Sequence, residues 1–279
     1  LTGSLARVDI GALLLAGLIP GLILAVLYCA TIAIQVARDP TAAPAYDVDL
    51  PPLSHRLAVF AVNVLPLGLI VFCVVGFIVL GIATPSEAAA FGVVASLILA
   101  WIFGGLSQSS IIKSLETAVS VTGMVFLLIF GSAAFSQLLA FSGASQDVVA
   151  VATAWEAPAY AKLVLMFLVL VVLGMFMDQI SILLLTIPFF FPLARALGLD
   201  PVWFGIVVLL AMEMSLTTPP FGLLLFLMTG VTPPNPDGTR VTFQQVVSAA
   251  IPFLACDLLL LILLIVFPAV ALWLPRMVG

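Results

Sequence analysis

The chain has 279 residues, 64% of them hydrophobic and 8% charged, and a formal net charge of −5. A water-soluble domain has no means of hiding that much apolar surface, so the composition defines an all-α polytopic membrane protein. Eight Lys and Arg against thirteen Asp and Glu leave no basic patch for nucleic acid.

Residues 10–36 form a first apolar span, followed by a polar, Pro- and Asp-rich linker, RDPTAAPAYDVDLPPLSHR, over 38–56. The single histidine, His55, lies in that linker. A second span covers about 57–82. Thr84-Pro85-Ser86-Glu87 then reads as a capping box, with Thr84 as N-cap and Glu87 reaching back from N3, and opens a third span over about 85–103. Glu87 could instead serve transport, but the cap accounts for it. The amphipathic segment 107–119 leads into a fourth span over about 120–142. Residues 146–162 look like another interfacial stretch, with Trp155 and Tyr160 suited to headgroup depth. Either segment fits an arm on the membrane surface or an ordinary loop. Cys29, Cys73 and Cys256 each sit alone in apolar runs and read as packing residues.

The apolar run from Leu163 is interrupted at Met177-Asp178-Gln179-Ile180-Ser181 and resumes to Gly198. Too little polar sequence separates the halves for an external loop, so 163–198 reads as a re-entrant hairpin with a polar tip. A charge near the membrane midplane costs about 2.5–3.5 kcal/mol unless paired or wetted. Asp178 is therefore expected to bind a cation or organise the tip; the plainer reading is a helix cap. Gln179 and Ser181 offer oxygens at the same place. Asp200-Pro201 caps the next helix, which carries Thr217-Thr218-Pro219-Pro220 near its middle. The two prolines deprive the Ser215 and Leu216 carbonyls of their helical donors, so this helix, about 202–230, must break. A break in lipid survives only against protein or a wet cavity. It sets outward-turned carbonyls on one half beside free N–H groups on the other, an arrangement that serves a cation and an anion together. The simpler account is a proline kink. Glu213, one turn before the break, could pair with a positive group or tune a cation site.

After a turn-rich loop at 232–240, Thr242 and Gln245 make a second capping box, and the last span runs to about Trp273, with Leu274-Pro275-Arg276 ending it. Asp257 within it is expected to be hydrogen-bonded to a neighbouring element. Ser132, Ser136, Gln137 and Asn63 are expected to bond between helices. A repeat is visible: Leu1-Thr2-Gly3, Arg7-Val8 and Ile19-Pro20 resemble Met228-Thr229-Gly230, Arg240-Val241 and Ile251-Pro252. With Leu1 at its start and no signal-peptide pattern, the chain is expected to be a fragment beginning just after a first copy of the broken helix. Basic residues divide evenly between the two sides, so charge does not orient it.

Several motifs in order resemble one family. They are Gly81-Ile82-Ala83-Thr84-Pro85-Ser86-Glu87-Ala88-Ala89-Ala90, Gly174-Met175-Phe176-Met177-Asp178, Leu184-Leu185-Thr186-Ile187-Pro188, Ala196 to Gly205, and Leu216-Thr217-Thr218-Pro219-Pro220-Phe221-Gly222. Together they resemble the large permease subunit of tripartite ATP-independent periplasmic (TRAP) transporters, amino-terminally truncated. The resemblance implies an elevator-type transporter of inverted repeats in the bacterial inner membrane. It implies Na⁺-coupled symport of an organic acid, of carboxylate or dicarboxylate type, delivered by a periplasmic binding protein. It also implies a small membrane subunit as partner. On that view 1–36 ends the first repeat, 37–57 is the linker and 58–279 is the second repeat. The expected cation set is Asp178, Gln179, Ser181, Thr217 and Thr218 with the Ser215 and Leu216 carbonyls. The expected substrate set is Thr218, Pro219, Pro220 and Gly222, where the free N–H groups of the second half-helix attract an anion and the glycine permits close approach. The alternative is a passive channel or assembly subunit. An intramembrane hydrolase would need His beside Ser, or paired aspartates in a suitable motif, and a pump would need a nucleotide loop; the sequence has none of these.

Overall fold

A computed structural model of the chain describes residues 2–39, 51–103, 105–233 and 239–278. Most of the polar linker and the middle of the 232–240 loop lie outside the described residues. Among the described residues there are thirteen helices and no strand. Five are long and apolar enough to cross a membrane, or six if one bent pair counts as a single span. The chain divides into two compact units, residues 1–38 with 128–277, and residues 39–127 with the last two residues.

The smaller unit holds α3 (Leu53–Asn63), α4 (Leu65–Val79), α5 (Pro85–Ile102) and the start of α6 (Gln108–Phe141). The second span read from sequence is broken: α3 and α4 meet at 44°. Pro66, in the first turn of α4, explains the bend, because its ring opposes the carbonyl four residues back and it lacks an N–H. His55 is helical rather than in a loop, since α3 already begins at Leu53. Asn63 bonds within its own helix, Nδ2 donating to Val59 O at 3.0 Å, and not across to another. The Thr84–Glu87 capping box is formed in full. α5 packs on α4 through the edge-on rings of Phe77 and Phe91, 5.4 Å apart. Residues 108–119 are not a separate surface arm: they continue without a break into α6, a helix of 34 residues.

The larger unit is built around α10 (Pro201–Thr217). Glu213 and its last turn apart, its sequence is apolar around the helix, which fits one enclosed by others. Eleven of its residues, from Trp203 to Ser215, are buried. α2 (Ile10–Arg38), α8 (Ala159–Gly174), α9 (Gln179–Ala196) and α12 (Phe243–Val266) surround it. Asp200 caps α10 through the Val202 and Trp203 N–H groups. The Trp203 indole then donates to Leu264 O on α12 at 2.9 Å. Leu13 of α2 fills the place where a side chain on Gly205 would sit. α9 ends at Gly198, φ 72°, with Leu199 N donating to Ala194 O, a left-handed stop that glycine adopts freely. The 146–162 stretch contains a short helix, α7 (Ala144–Ala154), packed on α9. The last span stops at Val266, before Pro268, and Trp273 and Pro275 belong to a separate α13 (Ala269–Val278). Pro275 thus lies inside a helix instead of ending one.

Candidate functional site

The helix expected to break does so. α10 stops at Thr217, and α11 (Leu223–Val231) starts after Thr218-Pro219-Pro220-Phe221-Gly222, with a cis bond between the prolines. Beside this break lies the turn between α8 and α9, residues 175–178.

Two contacts hold the turn and the break together. A Cβ on Gly174, the last residue of α8, would fall 2.1 Å from the Ser215 Cβ and Oγ, so a glycine is needed for α8 to close on α10. Ser215, 0% exposed, donates its hydroxyl to Met212 O at 2.7 Å, and Gln179 Nε2 reaches the same carbonyl at 3.4 Å. Further out, the Phe176 and Phe221 rings meet at 5.3 Å. Together these elements wall a cavity of about 440 Å³, lined by residues 174–178 of the turn and by Phe221, Leu223 and Phe226.

Asp178 borders this cavity as the N-cap of α9. One carboxylate oxygen accepts from the Ile180 and Ser181 N–H groups at 3.0 and 3.1 Å, the other from the Ser181 hydroxyl at 2.5 Å. The carboxylate therefore organises the tip, and the oxygen that accepts from the hydroxyl keeps a lone pair for a further partner. The break uses its own groups in a similar way. The Thr217 and Thr218 hydroxyls both donate to Met214 O, at 3.1 and 2.6 Å, while Thr218 N reaches Ser215 O at 3.4 Å. Gly222 is the N-cap of α11 and has no side chain to satisfy the first N–H groups of that helix. A Cβ there would fall 2.6 Å from Leu216 O and 2.9 Å from Thr218 O. What approaches Gly222 is the chain's own backbone.

The expected cation set is only partly gathered. Asp178, Gln179 and Ser181 share the tip, and Gln179 and Ser215 meet at Met212 O. Thr217 instead lines a second cavity of about 310 Å³, with Tyr28, Glu213, Phe253 and Asp257. Thr218, Pro219 and Pro220 are not among the residues that line the tip cavity. In the second cavity the Tyr28 hydroxyl donates to Asp257 Oδ1 at 2.6 Å, and the Tyr28 ring stands edge-on to Phe253. The sequence reading gave Asp257 a hydrogen bond but not its partner, and it missed Tyr28, Gly174 and the Phe176–Phe221 pair. A tyrosine and two acids in otherwise apolar spans were the available signal.

A helix broken at paired prolines against a capped helical turn, among several span-capable helices, defines a polytopic α-helical membrane protein. Over residues 2–270 the chain matches the family described as the DctM component of tripartite ATP-independent periplasmic transporters, and it belongs to that family. It is 32% identical over 274 residues to the C4-dicarboxylate TRAP transporter large permease protein DctM of Pseudomonas aeruginosa, covering 97% of this chain and 61% of the relative. It is 30% identical to the sialic acid large permease SiaM of Vibrio cholerae, covering 99% and 62%. It is 29% identical to the ectoine/5-hydroxyectoine large permease UehC of Ruegeria pomeroyi, covering 98% and 61%. The chain thus spans about three-fifths of the length of these relatives. The family is one of transporters, not enzymes. Span-capable helices in a periplasmic transporter component place the chain in the inner membrane.

Proposed function

We propose that the chain is part of the large permease subunit of a Na⁺-coupled importer of an organic acid. In this reading a periplasmic binding protein delivers the acid, and a small membrane subunit packs beside the permease. The observation that carries the proposal is the convergence of the capped turn at Asp178 and the broken helix on one cavity. Sodium prefers neutral or anionic oxygens, and the turn and break offer the Asp178 carboxylate, Gln179, Ser181, the Ser215 and Leu216 carbonyls and the two threonines. The substrate carboxylate docks at the start of α11, whose dipole amounts to roughly half an elementary charge, near Thr218, Pro219, Pro220 and Gly222. The relatives are named for different substrates, so the acid's identity is left to measurement.

In the same reading α8 and α9 form a re-entrant hairpin that travels with α10 and α11 as an elevator. What supports it is that α8, with 16 residues, reaches only about 24 Å at ~1.5 Å per residue, short of a ~30 Å hydrocarbon core. An inverted repeat is supported by α2 and α12. Each carries a proline about ten residues in, Pro20 and Pro252, and the two helices pack together.

The test is uptake into proteoliposomes holding the complete permease, its small subunit and the binding protein. An inward Na⁺ gradient should drive accumulation of an acid, and a Na⁺ ionophore should abolish it. Equal flux with and without the gradient would remove the coupling from the proposal.

A further inference from the structure

Away from the broken helix, within the larger unit, a third cavity of about 270 Å³ lies between the turn after α1 (Thr2–Ala6) and the second part of α6. Leu5, Arg7, Ile129, Ser132, Ser136 and Gln137 line it, with two alanines completing the wall. Its polar groups are unspent. Among the described residues, the side chains of Arg7, Ser132, Ser136 and Gln137 have no hydrogen-bond or ion-pair partner. Ser132 is only 5% exposed and is the one buried residue of α6. No polar side-chain atom among the described residues is sealed away without a partner, so the Ser132 hydroxyl must open onto the cavity. The sequence reading expected these three α6 side chains to bond to another helix, and they do not.

Arg7 holds a backbone position that the chain elsewhere gives to glycine. At φ 53° it closes the end of α1, with Val8 N donating to Gly3 O at 2.9 Å. The same bond pattern ends α9 at Gly198. The left-handed region disfavours a residue with a side chain, so the turn itself gives no reason for an arginine. Asp9, the nearest acid in sequence, is already used in capping the Ala12 N–H at 2.7 Å.

We propose that this cavity holds the phosphate of an anionic membrane lipid, with Arg7 as its counter-charge and Ser132, Ser136 and Gln137 as further donors. The lining is rich in donors and contains no carboxylate, which selects an anion. A guanidinium fork grips two phosphate oxygens, while hydroxyl and amide donors on α6 address the others. Basic pockets between membrane helices take lipid headgroups by this chemistry. The surroundings fit an amphiphile: Phe130 and Phe141 of α6, next in sequence to the lining residues Ile129 and Ala140, are 71% and 88% exposed, an apolar surface for the acyl chains of the same molecule.

The complete permease, delipidated and returned to nanodiscs of phosphatidylcholine with a minor share of phosphatidylglycerol, provides the test. Native mass spectrometry should find phosphatidylglycerol retained in preference to phosphatidylcholine. Arg7→Gly removes the charge yet suits the left-handed turn, so the fold survives, and retention should fall about tenfold, as for one charge-assisted contact. Arg7→Lys should recover part of it, and Ser132→Ala should fall between. Inorganic phosphate added to the delipidated protein separates the sources. If phosphate alone stabilises the wild type fully and Arg7→Gly cancels it, the phosphate site stands with a soluble occupant. If phosphatidylglycerol retention is the same in the wild type and Arg7→Gly, or shows no preference over phosphatidylcholine, the site is overturned.

Discussion

Two aspartates border the cavities on either side of α11, and they are held in opposite ways. Leu223 and Phe226 face the tip cavity, while Leu224, Leu225 and Met228 face the other. Asp178 at the tip is exposed and takes all its bonds from residues within three positions. Asp257 is 2% exposed, and the Tyr28 hydroxyl that donates to it is 229 residues away. A carboxylate satisfied by its own helix start can be changed without disturbing its neighbours. One satisfied across two helices ties them together, because burial makes the bond costly to lose. The first arrangement suits a group that exchanges partners during transport; the second suits a fixed joint.

The largest effect should come from the break that separates the two cavities. Gly222→Val places side-chain atoms onto the Leu216 and Thr218 carbonyls. Backbone yields poorly, so about 3 kcal/mol of stability should go, the upper end for overpacking, as read by chemical unfolding in mild detergent. A variant as stable as wild type would show that the break is not packed this tightly. Loss of uptake in this variant alone would therefore say nothing of where the substrate docks. The next effect concerns the joint. Tyr28→Phe should cost about 2 kcal/mol, the value of a hydrogen bond to a buried carboxylate. Combining it with Asp257→Leu should cost less than the two singles added. Strict additivity would mean that the 2.6 Å contact carries no energy.

What the sequence made legible follows the same division. Asp200 before Pro201, Thr84 with Glu87, Thr242 with Gln245 and the paired prolines all act over a few residues, and each appears where the spacing put it. Pro66 and Pro268 act locally too, but apolar runs on both sides hid them inside what looked like single spans. The tip cavity was half legible, since the polar interruption at 177–181 and the Thr-Thr-Pro-Pro break are both local signals. That Gly174 must admit Ser215, and that Thr217 turns toward Tyr28 instead of the tip, depends on how α8 and α2 pack on α10. No spacing along the chain encodes that.

The smallest effect on stability should carry the most information about the tip. Asp178 does two things in the present reading: it caps α9, and it lends charge to a cation. Asparagine caps as well as aspartate does, so Asp178→Asn should leave stability within about 0.5 kcal/mol of wild type. Asp178→Ala, which caps nothing, should lose about 1 kcal/mol. The charge is absent from both. If the carboxylate takes part in holding Na⁺, both variants should need about tenfold more Na⁺ for half-maximal uptake, the effect of losing one charge-assisted contact. If the aspartate is a cap and nothing more, the Asp178→Asn protein should transport with the wild-type Na⁺ dependence and only the alanine variant should be impaired. That outcome would move the cation away from the turn, to the Leu216 carbonyl and the threonines of the break.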